Sequence, residues 1–242
     1  MSGDVYRDAS RLYDFNHAIC LVWHVKDQGD WRQKLSPGQK RSRTFRHIKR
    51  SVDRLIKNVS QGGWVDVVDE TNNALSFSLP VTIANHKRLW HHGCHALITT
   101  PKKYTLVQKR SNKIIFSPNL IDVSLGGHVD VSETPAQAVV REIREEVGLH
   151  VDPTSLRLLE VYRWISYHPR YRRYSKSFIY TYHVPLTEDK PLFTIQEEEV
   201  LLVKLLSPRQ LRRLIAFHGL KHLGRLNYAH VYYRRIIRLA VL

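Results

Sequence analysis

The stretch GHVDVSETPAQAVVREIREEVGL, residues 127–149, decides how this chain reads. Thr134 has the side chain of a helix N-cap, Pro135 suits the first helical position, and Gln137 stands where the second half of a capping box belongs. Gly148 supplies the left-handed residue on which such a helix ends. Between them Ala136, Val139, Val140, Ile143 and Val147 recur at helical spacing and form the expected buried stripe. A capped amphipathic helix is predicted over 135–147.

Glu142, Glu145 and Glu146 fall on an adjoining face, because positions three and four apart are neighbours on a helix. Three carboxylates so close repel one another. Arg141 reaches Glu145 at i+4 and relieves part of this; water or a cation must do the rest. Hard oxygen ligands suit Mg²⁺, Mn²⁺ or Ca²⁺, and Mg²⁺ commonly binds substrate phosphates as well. Read alone, the helix could equally be a solvated acidic face.

The whole stretch resembles the Nudix motif, G-x5-E-x7-R-E-U-x-E-E-x-G-U with U aliphatic. The match holds at every defined position: Gly127, Glu133, Arg141, Glu142, Ile143, Glu145, Glu146, Gly148 and Leu149. The resemblance implies an α+β fold, a Nudix α/β/α sandwich with a mixed sheet between helices, over about 64–206. It implies hydrolysis of a nucleoside diphosphate linked to another moiety, with Mg²⁺ as cofactor and Mn²⁺ as a substitute. By motif position Glu142, Glu145 and Glu146 would be metal ligands. Glu133 would assist, Arg141 would hold the carboxylates, and the backbone near Gly126 and Gly127 would offer a carbonyl. The general base varies within the family. A motif carboxylate such as Glu145, or one of Glu197, Glu198 and Glu199, could serve; Glu198 stands for that triplet among the expected catalytic residues.

Four shorter stretches resemble the branch related to type I isopentenyl diphosphate isomerase: WVDVVDETNN (64–73), HHGCHAL (91–97), LVQKRS (106–111) and Gly126-Gly127-His128. Isomerase activity itself is not expected. Gly126 stands where that enzyme has its catalytic cysteine, and Ala84 stands where the first of its histidine pair would fall, leaving His91 alone. His128 matches a metal-binding histidine of the isomerase, but one residue cannot carry that site. A nucleotide-sensing binding module is the non-enzymatic alternative, disfavoured because the carboxylates are intact.

Outside the motif the pattern is mixed. Residues 64–75 read as strand, turn and strand; 94–99 and 104–109 form a strand pair about a turn at 101–103; strands return at 156–167 and 177–184. Ser207 and Pro208 open a helix with Leu211, Leu214 and Ile215 as its stripe, and a second helix is predicted over 227–239. This order is α+β rather than alternating.

The charge is the unusual property of the composition. The 242 residues carry 38 Lys and Arg against 22 Asp and Glu, a formal net charge of +16, which attracts polyanions. Between 32 and 57 there are ten Lys or Arg and one acid, Asp53, with residues 44–59 patterned as a basic amphipathic helix. Residues 200–242 hold nine Lys or Arg and no acid. Three parts are expected: a basic, partly helical N-terminal extension (1–62), a Nudix domain (63–208), and basic C-terminal helices packing on it (209–242).

Aromatic and basic residues interleave between Tyr162 and Tyr182. There Arg163, Tyr167 and Arg172, with Arg110, are candidate substrate contacts, since aromatics stack on bases and Arg binds phosphate. A phosphorylated small molecule is the expected partner, RNA on the basic surface a second one, and a homodimer an open assembly. Cys20 and Cys94 form no metal motif and no disulfide framework. The N-terminus carries acids and lacks a long apolar core, so no signal peptide is expected, and no apolar run reaches the ~18 residues of a membrane span. The cytoplasm is the expected compartment.

Overall fold

A computed structural model of the chain describes residues 63–242 except 115–116, 169–172, 221–223, 229 and 242. The extension expected over 1–62, its helix at 44–59, and Arg172 lie outside the described residues. The elements run β1 (Trp64–Val68), β2 (Ala74–Pro80), α1 (Val81–His86), β3 (Trp90–Thr99), β4 (Thr105–Arg110), β5 (Ile121–Asp122), β6 (Leu125–His128) and α2 (Pro135–Val147). A 3-10 turn at Pro153–Ser155 follows, then β7 (Arg157–His168), β8 (Arg173–Pro185), β9 (Val200–Leu206), α3 (Pro208–Ala216), the short pair β10 (Gly219–Leu220) and β11 (Gly224–Arg225), and α4 (His230–Val241).

β3 is the central strand. β8 runs parallel to it along its whole length, from Trp90 opposite Lys176 to Thr99 opposite Pro185, and β7 pairs antiparallel with β8. Three antiparallel partners share the other edge of β3: β1 at His91 and Trp90, β6 from Gly93 to Ala96, and β4 at Thr99. Ser124 covers the gap, donating its amide to the Ala96 carbonyl and accepting the Ile98 amide on Oγ. β4 carries the sheet on through β5 and β9. The register opposes Cys94 to Gly127, which brings the motif's first glycine to the middle of the sheet.

Side chains alternate across a strand, so β3 feeds two cores. Cys94, Ala96 and Ile98 pack with Ala138, Val139, Ile143 and Val147 of α2. Leu97 lies on the other face with Leu211, Leu214 and Ile215 of α3 and with Tyr232, Tyr233 and Ile236 of α4. The result is the α/β/α layering of the expected α+β class. Fully burying a Val, Leu or Ile is worth about 1.5–3 kcal/mol, so each helix is held by its own apolar stripe rather than by propensity.

The capping box forms as predicted. Thr134 Oγ accepts the Gln137 amide at 3.3 Å, and Gln137 Oε1 accepts the Thr134 amide at 2.8 Å. Gly148 closes α2 at φ 72°. The buried face differs from the predicted stripe in one respect. It runs through Ala138, Val139, Glu142, Ile143, Glu146 and Val147, so two of the carboxylates lie inside it, and Ala136 and Val140 sit at its edge. Several elements were not read from the sequence: α1, the first four residues of β3, β5, β6, β9 and the short pair β10 and β11. His91-His92-Gly93 lacks the usual strand residues, yet His91 is buried between Ser177, at 3.2 Å, and the Leu89 carbonyl, at 3.3 Å. No helix among the described residues is long and apolar enough to cross a membrane.

Candidate active site

Arg141 organises the centre of the site. Its Nε and Nη2 donate to the two oxygens of Glu133, each at 3.0 Å, a bidentate pair. Nη1 donates to Glu142 at 2.9 Å and to Glu145 at 3.2 Å, and Nη2 also reaches the His128 carbonyl at 2.9 Å. One guanidinium thus ties the loop after β6 to two carboxylates of α2. Glu133 adds a bond from the Asp130 amide at 3.1 Å.

Glu146 lies deeper, only 2% exposed, and accepts from Gln108 Nε2 of β4 at 2.8 Å. Burial, and then the neighbouring charge of Glu142, drive its carboxyl well above the ordinary range. Burial also pushes Glu142 up to about 7; Arg141 pulls it down, and Glu199 and Glu145 push it further. Burial, reinforced by Glu142, holds the Cys94 thiol protonated beneath them. Gly127 faces Glu142 so closely that a Cβ there would collide with the carboxylate.

These residues have the donor chemistry of a hard divalent cation site. Among the described residues Glu133, Glu142 and Glu145 pair with Arg141, and Arg110, whose charge acts on Glu146, is already paired with Asp122 at 3.1 Å. Gln108 Oε1 is buried beside Glu146 without a hydrogen-bond partner. The carboxylates outnumber the cations, so the buried ones hold protons unless a cation replaces them. No three His, Cys, Asp or Glu side chains among the described residues converge on one point where a metal ion could sit. In this arrangement Glu142 and Glu145 each engage Arg141 through one oxygen, and Glu146 engages Gln108.

A cavity of about 350 Å³ opens beside Gly127 and His128. Arg110, Trp164, Tyr167, Asn227 and Tyr228 line it. Asp122 fastens this wall. It accepts from Arg110, from Asn227 Nδ2 at 3.1 Å and from Tyr233 Oη at 2.8 Å, so the chain before α4 is tied to β4 and β5.

The predicted substrate contacts divide. Arg110 and Tyr167 reach the cavity, Tyr167 stacked near Tyr174 with ring centres 4.7 Å apart. Arg163 stacks over Trp90 at 4.6 Å, with Glu70 at 3.7 Å. Glu197, Glu198 and Glu199 are all exposed in the acidic turn, and it is Glu199 whose charge acts on Glu142 and Glu146. Gln108, Asp122 and Asn227 were missed because nothing local marks them. Strand pairing alone carries them to the site.

A model of the NUDIX domain matches residues 90–225, more than half of the chain.

The chain belongs to the Nudix family.

An uncharacterized Nudix hydrolase of Yersinia pestis is 33% identical over 86 residues, covering 36% of this chain and 47% of that protein. One from Listeria innocua is 31% identical over 124 residues, covering 51% of this chain and 68% of that protein. The matches to the first two curated relatives span about half of their length, 47% and 46%. Among solved structures, the Deinococcus radiodurans protein DR0079 superposes with a TM-score of 0.53 at 22% identity, over 71% of this chain and 98% of that one. That likeness shows the Nudix fold. Nudix hydrolases generally need divalent cations.

Proposed function

We propose that this protein hydrolyses a diphosphate linkage in a nucleoside diphosphate derivative, with Mg²⁺ or Mn²⁺ held by Glu142, Glu145, Glu146 and the Gly127 carbonyl. The observation that carries this is the Arg141 clamp on Glu133, Glu142 and Glu145 together with buried Glu146, with Glu142 against Gly127, which also lines the cavity. When bound, the cation neutralises diphosphate oxygens and lowers the pKa of the attacking water. Arg141 and Glu133 position the carboxylates. Arg110 presents a buried Nε without a protein partner and binds a substrate phosphate. Trp164 and Tyr228 offer aromatic faces to a base, and Asn227 a polar edge. For water activation we assign Glu199 in place of Glu198, because its charge reaches Glu142 and Glu146. With Gly126 at the cysteine position and Cys94 buried and held protonated, no thiol among the described residues serves isomerase chemistry.

The test is phosphate release from nucleoside di- and triphosphates, ADP-ribose, dinucleotide polyphosphates, isopentenyl diphosphate and capped RNA, with Mg²⁺ or Mn²⁺. Glu146→Gln serves as the blank. Cleavage that needs the cation and falls by roughly a thousandfold in the blank is expected, the scale of losing one preorganised electrostatic group. Silence across the panel from a folded, metal-binding protein would make it a binding module instead. Cleavage of capped RNA alone, declining steeply with salt, would make RNA the substrate.

A further inference from the structure

A second cavity, of about 870 Å³, lies on the face of the sheet opposite α2, between α3, α4 and the ends of β3, β4 and β8. Its floor is apolar: Leu97, Leu211 and Ile215 are buried, and Ile237 packs beside them. Its rim is cationic: Lys103, Arg212, Arg234 and Arg238 are all exposed. Three of these belong to residues 200–242, a segment with no acid of its own. Among the described residues none of the four forms an ion pair; the pairs of this region are Arg235 with Glu160 and Lys102 with Asp189, both outside the lining.

This pattern selects its occupant. A purely apolar ligand leaves four cations unmatched, and a small hydrophilic anion leaves the apolar floor wet. A second molecule of this chain brings a charge of +16 against the same charge, so like rims repel. The volume is in the range of small-molecule sites, concave rather than flat. We propose that this cleft binds a free amphiphile, an alkyl chain ending in an anionic head, with the chain on Leu97, Leu211 and Ile215 and the head among Arg212, Arg234 and Arg238. The site is separate from the diphosphate site, since its lining shares no residue with the cavity beside Gly127 and His128.

Calorimetric titration of the full chain tests this with octyl, decyl and dodecyl phosphate, dodecanoate and dodecyltrimethylammonium, all below their micellar concentrations. Affinity is expected to rise about fourfold per methylene, and the cationic amphiphile should bind at least tenfold more weakly than dodecyl phosphate. Dodecanoate against dodecyl phosphate tells which anionic head the rim prefers. The double charge reversal Arg234→Glu with Arg238→Glu should weaken the anions tenfold or more and narrow the preference over the cation. Ala240→Trp, which fills the cleft, should weaken every chain length. Equal binding of both head charges, or unchanged binding in Ala240→Trp with a native circular dichroism spectrum, would overturn the proposal. So would sedimentation with phosphatidylglycerol vesicles by a protein that binds no monomeric amphiphile, which would make the face a membrane contact.

Discussion

At Gly127 a missing side chain matters more than any present one. A Cβ would meet the Glu142 carboxylate, itself pinned by Arg141. Gly127→Ala is therefore expected to move that carboxylate by about an ångström and lower kcat/KM about a hundredfold, with a native melting curve; steady-state turnover and a thermal melt check both halves. The histidines of β3 set a pH dependence of another kind. Burial, with repulsion from His128, lowers His91 to about 3, and burial lowers His95 to about 4. Both lie below the ordinary 6.5, so the unfolded chain binds more protons than the native one between these values. Stability is complete above about 6.5 and is lost as pH falls toward 4. Because the raised carboxyls of Glu142 and Glu146 act in the opposite sense over the same range, denaturant midpoints from pH 7.5 to 4.5 are compared between the wild type and His91→Gln, and a pH-independent difference would contradict the burial of His91.

α2 is the element on which the site depends, and its two ends act differently. Thr134 closes the capping box away from the carboxylates, so Thr134→Ala should cost about 1 kcal/mol of stability and leave turnover unchanged. The C-terminal end carries more. Thr194 and Gln196 donate their amides to the carbonyls of Val147 and Glu146 at 3.0 and 3.1 Å, which places the turn bearing Glu199. Gly148 permits this with φ 72°, and a Cβ there would stand 2.8 Å from Thr194. Gly148→Ala should therefore cost about 1–2 kcal/mol for the left-handed residue and also reduce turnover, because the acidic turn shifts. Chemical denaturation and kinetics of the two variants, side by side, separate capping from positioning.

Across the whole molecule the sheet connects two working faces. The carboxylates stand on one side, and α3 and α4 close the other through Tyr232, Tyr233 and Ile236. Tyr232 Oη bonds both Thr181 at 2.9 Å and His95 Nδ1 at 2.8 Å, while His95 Nε2 has no partner. Tyr232→Phe would leave the buried imidazole without a bond on either nitrogen. It is expected to lower stability by about 1–3 kcal/mol, measured by denaturant unfolding, and to spare the α2 site. A loss of metal-dependent turnover equal to that of Glu146→Gln would show that the two faces are coupled.

α2 was legible almost residue by residue in the sequence. Caps, stripe, carboxylates and the glycines at 127 and 148 obey rules that act within one or two helical turns. The α+β class followed from the same stretch, since the motif implies the sandwich around it. Tertiary structure alone decided which carboxylates are buried. Glu142 and Glu146 lie inside and Glu145 outside because β3, β4 and β6 pack against one side of α2. It alone brought Gln108, Asp122 and Asn227 to the site, joined residues 97 and 237 into one cleft, and extended the strand read at 94–99 back through His91 into the central strand. The physical reason is the same in each case. Strand pairing sets distances between residues far apart in the chain, and burial depends on what covers a side chain, which no local pattern records.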